Sequence, residues 1–182
     1  MNKNFVILAL LIALVTVVIY SFPVIQTAKD SSQLALHSSV CIYKNNELTA
    51  PCSHNTMTNA SLNATRDCLG SAACSAAAFN YIAVGNTSTA ESAVLAALPG
   101  EIADSGLTRA AGTYGLIPQS IGNWSITKEF TASAGVTNLV VNTTALLNAS
   151  SNGVMFAGKN FTSSVTLQGG DKLNVTWYVW VS

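Results

Sequence analysis

From Lys172 onward the side chains alternate without a break. Leu173, Val175, Trp177, Val179 and Val181 fall on one side of an extended chain, and Lys172, Asn174, Thr176, Tyr178, Trp180 and Ser182 on the other. A period of two is the signature of a strand with one face in a core. Gly169-Gly170-Asp171 just before it is a turn signal. A strand this amphipathic needs a second apolar layer, which restricts the fold to a sheet packed against something else. Tyr178 and Trp180 lie on the polar side, where two large aromatics are out of place. They are a candidate contact surface for a second subunit, a loop or a glycan.

Other segments repeat the pattern. Trp124, Ile126 and Phe130 share one face of the run 123–131, opposite Asn123, Ser125, Thr127 and Glu129, while Lys128 interrupts the apolar side. Its long stem lets it snorkel at a strand's end. Phe79 to Val84 reads as a strand stopped by Gly85, and further runs are Val136–Val141, Gly153–Ala157 and Phe161–Leu167. Ser88 and Glu91 stand at capping-box spacing before Ser92–Leu98, and Pro99-Gly100 ends that run, which predicts one short helix. The expected fold is mainly β: an antiparallel β-sandwich with one short helix. No internal repeat is visible.

Residues Phe5 to Ile25 contain no charge over 21 positions, and Lys3 precedes them. About 20 apolar residues cross a bilayer as a helix, and the preceding charge directs the remainder of the chain outward. An uncleaved transmembrane anchor and a cleaved signal peptide both fit. The run is longer than a signal's apolar region, and a cut after Ala28 would put Gln26 where a small residue is wanted. Either reading exports the rest of the chain. The chain then divides into 1–28 as signal-anchor or signal peptide, 29–78 as a stalk and disulfide-containing region, and 79–182 as the sandwich.

The cysteines and the asparagines point to the same compartment. Cys41, Cys52, Cys68 and Cys74 all lie beyond the apolar segment. An even number in an exported chain predicts disulfides, with three possible pairings. Cys41–Cys52 and Cys68–Cys74 are favoured, because Val40–Tyr43 followed by Asn45-Asn46 reads as a hairpin that returns Cys52 to Cys41. No Cys-x-x-Cys knuckle suggests zinc. Asn-x-Ser/Thr sequons occur at Asn59, Asn63, Asn86, Asn123, Asn142, Asn148, Asn160 and Asn174. Chance among 16 Asn, 20 Ser and 18 Thr would give about three, so the excess predicts N-glycosylation outside the cytosol.

Charge excludes some functions. Lys plus Arg number 8, Asp plus Glu number 8, and charged residues are 9% of the chain, against about 25% in an ordinary soluble domain. With no basic patch, no nucleic-acid partner is expected. Catalysis has thin material. His37 and His54 are the only histidines, both in the N-terminal third. Asp67, Glu91, Glu101, Asp104, Glu129 and Asp171 each have simpler roles, such as a helix cap for Glu91 and a turn residue for Asp171. No nucleophile elbow or phosphate loop is present. The isolated Arg109 is expected to form a structural ion pair with Glu101 or Asp104. Neither enzyme activity, nor a metal, nor a cofactor is expected.

One stretch has a likeness. The pieces FNYIAVGNTSTAES, EIADSGLTRAAGTYG, WSITKEFTAS and LLNASSNGVMFAGKNFTSSVTLQGGDKLNVTWYVWVS, in that order over 79–182, resemble a domain of tail and other virion structural proteins of tailed phages. The resemblance implies a β-sandwich module that assembles or binds without catalysis. The export segment, the paired cysteines and the dense sequons depart from that family. They suit a virion protein of an archaeal virus, or an archaeal surface filament subunit. In such a filament Ser31–Tyr43 would be a strand donated to the next copy. The expected function is an extracellular structural protein that self-associates or joins other surface or virion proteins, held to the membrane through residues 5–25 if these are uncleaved. The alternative is a monomeric anchored adhesin or ligand-binding ectodomain.

Overall fold

The computed structural model describes residues 35–70 and 78–181, all within one compact unit. The apolar run 5–25, most of the stalk and Cys74 lie outside the described residues. Among those described, no helix is long and apolar enough to cross a membrane.

The structure is mainly β, in two antiparallel sheets with one helix. The strands are β1 (Leu36–Lys44), β2 (Glu47–Leu48), β3 (Ser53–His54), β4 (Thr56–Met57), β5 (Tyr81–Gly85), β6 (Ala110–Ala111), β7 (Thr113–Leu116), β8 (Trp124–Thr131), β9 (Leu139–Leu147), β10 (Met155–Leu167) and β11 (Lys172–Val181). The helix α1 (Asn59–Gly70) comes directly after β4. Sheet A runs β2-β1-β11-β8-β7, with β3 also on β1, and sheet B runs β4-β10-β9-β5-β6.

The alternating strand is the centre of sheet A. β11 pairs with β1 from Leu36↔Val181 to Lys44↔Leu173, and with β8 from Lys172↔Thr131 to Val179↔Trp124. Its apolar side faces sheet B. Leu173, Val175, Trp177 and Val179 are fully buried, in one cluster with Val40, Ile126 and Phe130 of sheet A and Ile82, Val141 and Leu167 of sheet B. Each such side chain contributes about 1.5–3 kcal/mol on burial. A one-residue slip of β11 would turn all four to solvent, so the register is fixed by the core. Lys128 keeps its ammonium over the Phe130 ring, 5.9 Å from the centroid.

The hairpin of β1 and β2 turns through Asn45 and Asn46, both at positive φ (50° and 69°). Asparagine tolerates that left-handed region better than most residues, so Asn-Asn suits a two-residue turn. The Cys41–Cys52 disulfide then ties β1 to the returning chain, as the hairpin reading expects. Cys68 is also disulfide-bonded.

Two expectations need correction. The segment 88–98 is not helical. Glu91 leaves its capping role because sheet B offers its carboxylate better partners: Lys159 Nζ at 3.0 Å, the Asn160 amide at 3.1 Å and the Thr56 hydroxyl at 3.4 Å. Leu95 and Leu98 pack on Met155 and Leu147, which makes the segment a lid over sheet B. The helix forms instead at Asn59–Gly70, in a stretch whose Ser, Thr and Asn content reads as loop. Thr58 caps it: its hydroxyl accepts the Ser61 amide at 3.1 Å and donates to the Met155 carbonyl. Leu36–Tyr43, which the sequence offered as part of a donated strand, is paired along its length with β11 in the single chain described. In addition, the two runs read at 153–167 form one strand, β10, with a register shift between Asn160 and Val165.

Candidate contact surface

Tyr178 and Trp180 lie on the outer face of sheet A, and both are half-buried. Trp180 stands opposite His37 in the β1–β11 ladder, and the rings stack with centroids 5.5 Å apart and planes at 17°. β3 brings in the second histidine. Ser39↔His54 pairing puts His54 on the same face, edge-on to Trp180 at 5.4 Å. The only two histidines of the chain thus cover this indole. Cross-strand aromatic pairs of this kind stabilise a sheet. Tyr178 stands between Ser39 and Ser125. Sequence reasoning missed the cluster because it left both histidines in the region 29–78 without assigning either to a strand.

A more exposed surface lies at the far edge of sheet A. The chain leaves sheet B as β6 and enters sheet A as β7 within one residue, Gly112. A side chain there would put its Cβ 2.6 Å from Ile126 Cγ2 and 3.0 Å from the Thr127 carbonyl oxygen, so only glycine fits the crossing. The Gly112 amide donates to the Asn80 carbonyl at 2.7 Å. Beyond it, β7 pairs with β8 only, and among the described residues no strand meets its other side. Tyr114 and Leu116 align with Ile126 and Trp124, on the core side of sheet A. Sheet B does not reach far enough to cover them, and they are 58% and 75% exposed, with Ile121 at 98%. A cavity of about 310 Å³ opens beside Tyr114, lined also by Phe79, Trp124, Leu146 and Phe156.

This edge carries no charge. Between Arg109 and Lys128 the sequence holds no Lys, Arg, Asp or Glu. Exposed edges are ordinarily protected by charges or bulges. The signal was present in the sequence, as 18 uncharged residues in succession, but their burial could not be read from periodicity.

Elsewhere the charges are engaged in the fold. Five of the six described Lys and Arg side chains form ion pairs: Lys44–Asp171, Arg66–Asp67, Arg109–Glu101, Lys159–Glu91 and Lys172–Glu129. Asp171 is the most perturbed. A hydrogen bond from Asn45, one from the Gln168 amide and the Lys44 ammonium pull its pKa from 3.8 down to about 2. Among the described residues, no group of three or more His, Cys, Asp or Glu is placed to hold a metal.

Asn59 and Asn63 are exposed on α1, Asn86 is exposed after β5, and Asn123, Asn142, Asn148, Asn160 and Asn174 are half-buried. Comparison with protein-family models gives no match, and comparison with curated proteins finds no similar sequence.

Proposed function

We propose that this chain is an exported, non-enzymatic structural protein, a β-sandwich module that associates with copies of itself on a virion or a cell-surface filament. The observation that carries the reading is the uncharged edge at β7. Tyr114, Leu116 and Ile121 are exposed on or just beyond a strand that is open on one side, and Tyr114 lines an apolar cavity. Surfaces of this kind mark sites of association. A second copy is a suitable partner, since a two-fold contact brings each group close to its own counterpart and a charged patch would repel itself. Antiparallel pairing of two β7 strands would also satisfy the open backbone groups.

Export is supported by the Cys41–Cys52 disulfide, the bonded Cys68 and the eight sequons. A membrane anchor or cleaved signal at residues 5–25 and the resemblance of 79–182 to virion structural proteins of tailed phages complete the proposal. The cavity favours a second reading, a monomeric ectodomain that takes an apolar group of a ligand. Electron microscopy of the purified full chain separates them. Regular polymers or incorporation into particles support the structural reading, and dispersed single particles at high concentration oppose it.

A further inference from the structure

We infer that Asn86 is the glycan acceptor of the folded domain, an inference that rests on the exported reading above. A transferase needs two groups from a sequon at once: the asparagine Nδ2 and the hydroxyl two residues on. It must also draw the tripeptide away from the protein surface. Asn86-Thr87-Ser88 is the one sequon of the eight whose three residues are all exposed, in irregular chain just beyond β5. Two hydrogen bonds hold its backbone and must open on transfer, the Asn86 amide to the Gly100 carbonyl at 3.0 Å and Asn142 Nδ2 to the Asn86 carbonyl at 2.7 Å. The Thr87 hydroxyl donates to Asn86 Oδ1 at 3.1 Å.

Each of the others is withheld by the fold. Asn142 Nδ2 donates to the Asn86 carbonyl at 2.7 Å, and the adjoining Thr143 and Thr144 are buried in β9. Asn160 Nδ2 is turned onto the Thr89 carbonyl at 2.5 Å. Asn148 Oδ1 accepts the Val154 amide at 2.7 Å and closes the turn between β9 and β10. For Asn174 the partner hydroxyl, Thr176, is buried between β1 and β8. For Asn59 it is Ser61, fully buried and donating to the Thr58 carbonyl at 2.8 Å. Asn63 lies within α1, and its Oδ1 accepts from Arg66. Asn123 leads into Trp124 and Ser125, both paired on two sides in sheet A.

The co-reactant is a lipid-linked oligosaccharide activated as a phosphate ester. Asn86 Nδ2 attacks the anomeric carbon and loses one proton. The carbon–oxygen bond to phosphate breaks, and the lipid phosphate leaves with the electron pair. A glycan at Asn86 also leaves the association edge clear. Gly85 and Tyr81 are opposite ends of β5, and Tyr81 pairs with Ala111 beside the crossing to β7. The strand between them spans about 13 Å.

The test uses the folded full chain in detergent, produced without glycosylation, and given an oligosaccharyltransferase and its lipid-linked donor. Glycopeptide mass spectrometry reads each site, with an acceptor peptide as the control for an active enzyme. The expected result is occupancy at Asn86 at least about tenfold above any other sequon, lost in Asn86→Gln. Equal occupancy at any of the other seven sequons, or no transfer to the folded chain, overturns the inference. Chain isolated from its own cells reports separately on export. If it carries no sugar while Asn86 accepts sugar in vitro, the acceptor assignment stands and the exported glycoprotein reading fails.

Discussion

Arg109 clasps Glu101 with two nitrogens, Nε at 2.8 Å from one carboxylate oxygen and Nη2 on the other. The same guanidinium donates to the carbonyls of Asn152 at 2.8 Å and Ala149 at 3.2 Å. One side chain therefore joins the segment after β5 to the turn between β9 and β10, with only 8% of its surface exposed. Removing one partner of a buried pair strands the other charge, so Arg109→Met should cost about 2–4 kcal/mol. Arg109→Lys should recover only part of this, because an ammonium cannot fork across two oxygens and two carbonyls. Urea denaturation followed by tryptophan fluorescence measures both.

Gly112 is the point where one strand becomes two. Gly112→Val would push a branched side chain into Ile126 and the Thr127 carbonyl, at approaches of 2.6 and 3.0 Å. The expected loss is about 1–3 kcal/mol, the usual cost of overpacking. Gly135→Ala is the control, since a Cβ there meets nothing within 4 Å. Its midpoint should stay near that of the native sequence.

The Cys41–Cys52 bridge closes a short loop, with a sequence separation of 11. Loops near this size are worth about 3 kcal/mol when cross-linked. The Cys41→Ala, Cys52→Ala double variant should lose roughly that amount and release β3 from β1. His54 would then leave Trp180, visible as a shift in indole fluorescence even in native conditions.

Asp171 gives a pH signature. Its pKa is lowered to about 2 from 3.8, so its bonds to Asn45, Gln168 and Lys44 stabilise the fold fully above about pH 4. That contribution is lost as pH falls through about 2. Asp171→Asn cannot titrate, so the difference in stability between native and variant chains should shrink from about pH 4 to about pH 2. Thermal melts at closely spaced pH values measure it. A constant difference across that window would contradict the assignment.

Some of this was legible in the residues and some was not. β11 declared itself because its alternation and its burial are the same fact: Leu173, Val175 and Trp177 have nowhere to go but the core. Arg109 was readable because so few charges surround it. The helix at Asn59–Gly70 was hidden because its stability comes from Thr58 bonding Met155 on β10, a contact 97 residues away in sequence. Glu91 misled for the same reason, since Lys159 and Asn160 compete with its local capping role. The β7 edge was invisible to periodicity. Tyr114 and Leu116 alternate as core residues do, and only the position of sheet B leaves them uncovered.

Sedimentation equilibrium of the full chain in detergent, compared with Leu116→Lys and Ile121→Glu, tests self-association through this edge most directly. The native chain should form dimers or larger assemblies, and each variant should shift to monomer while keeping its circular dichroism and melting midpoint. A native chain that stays monomeric at high concentration, or variants that associate as the native chain does, would contradict it.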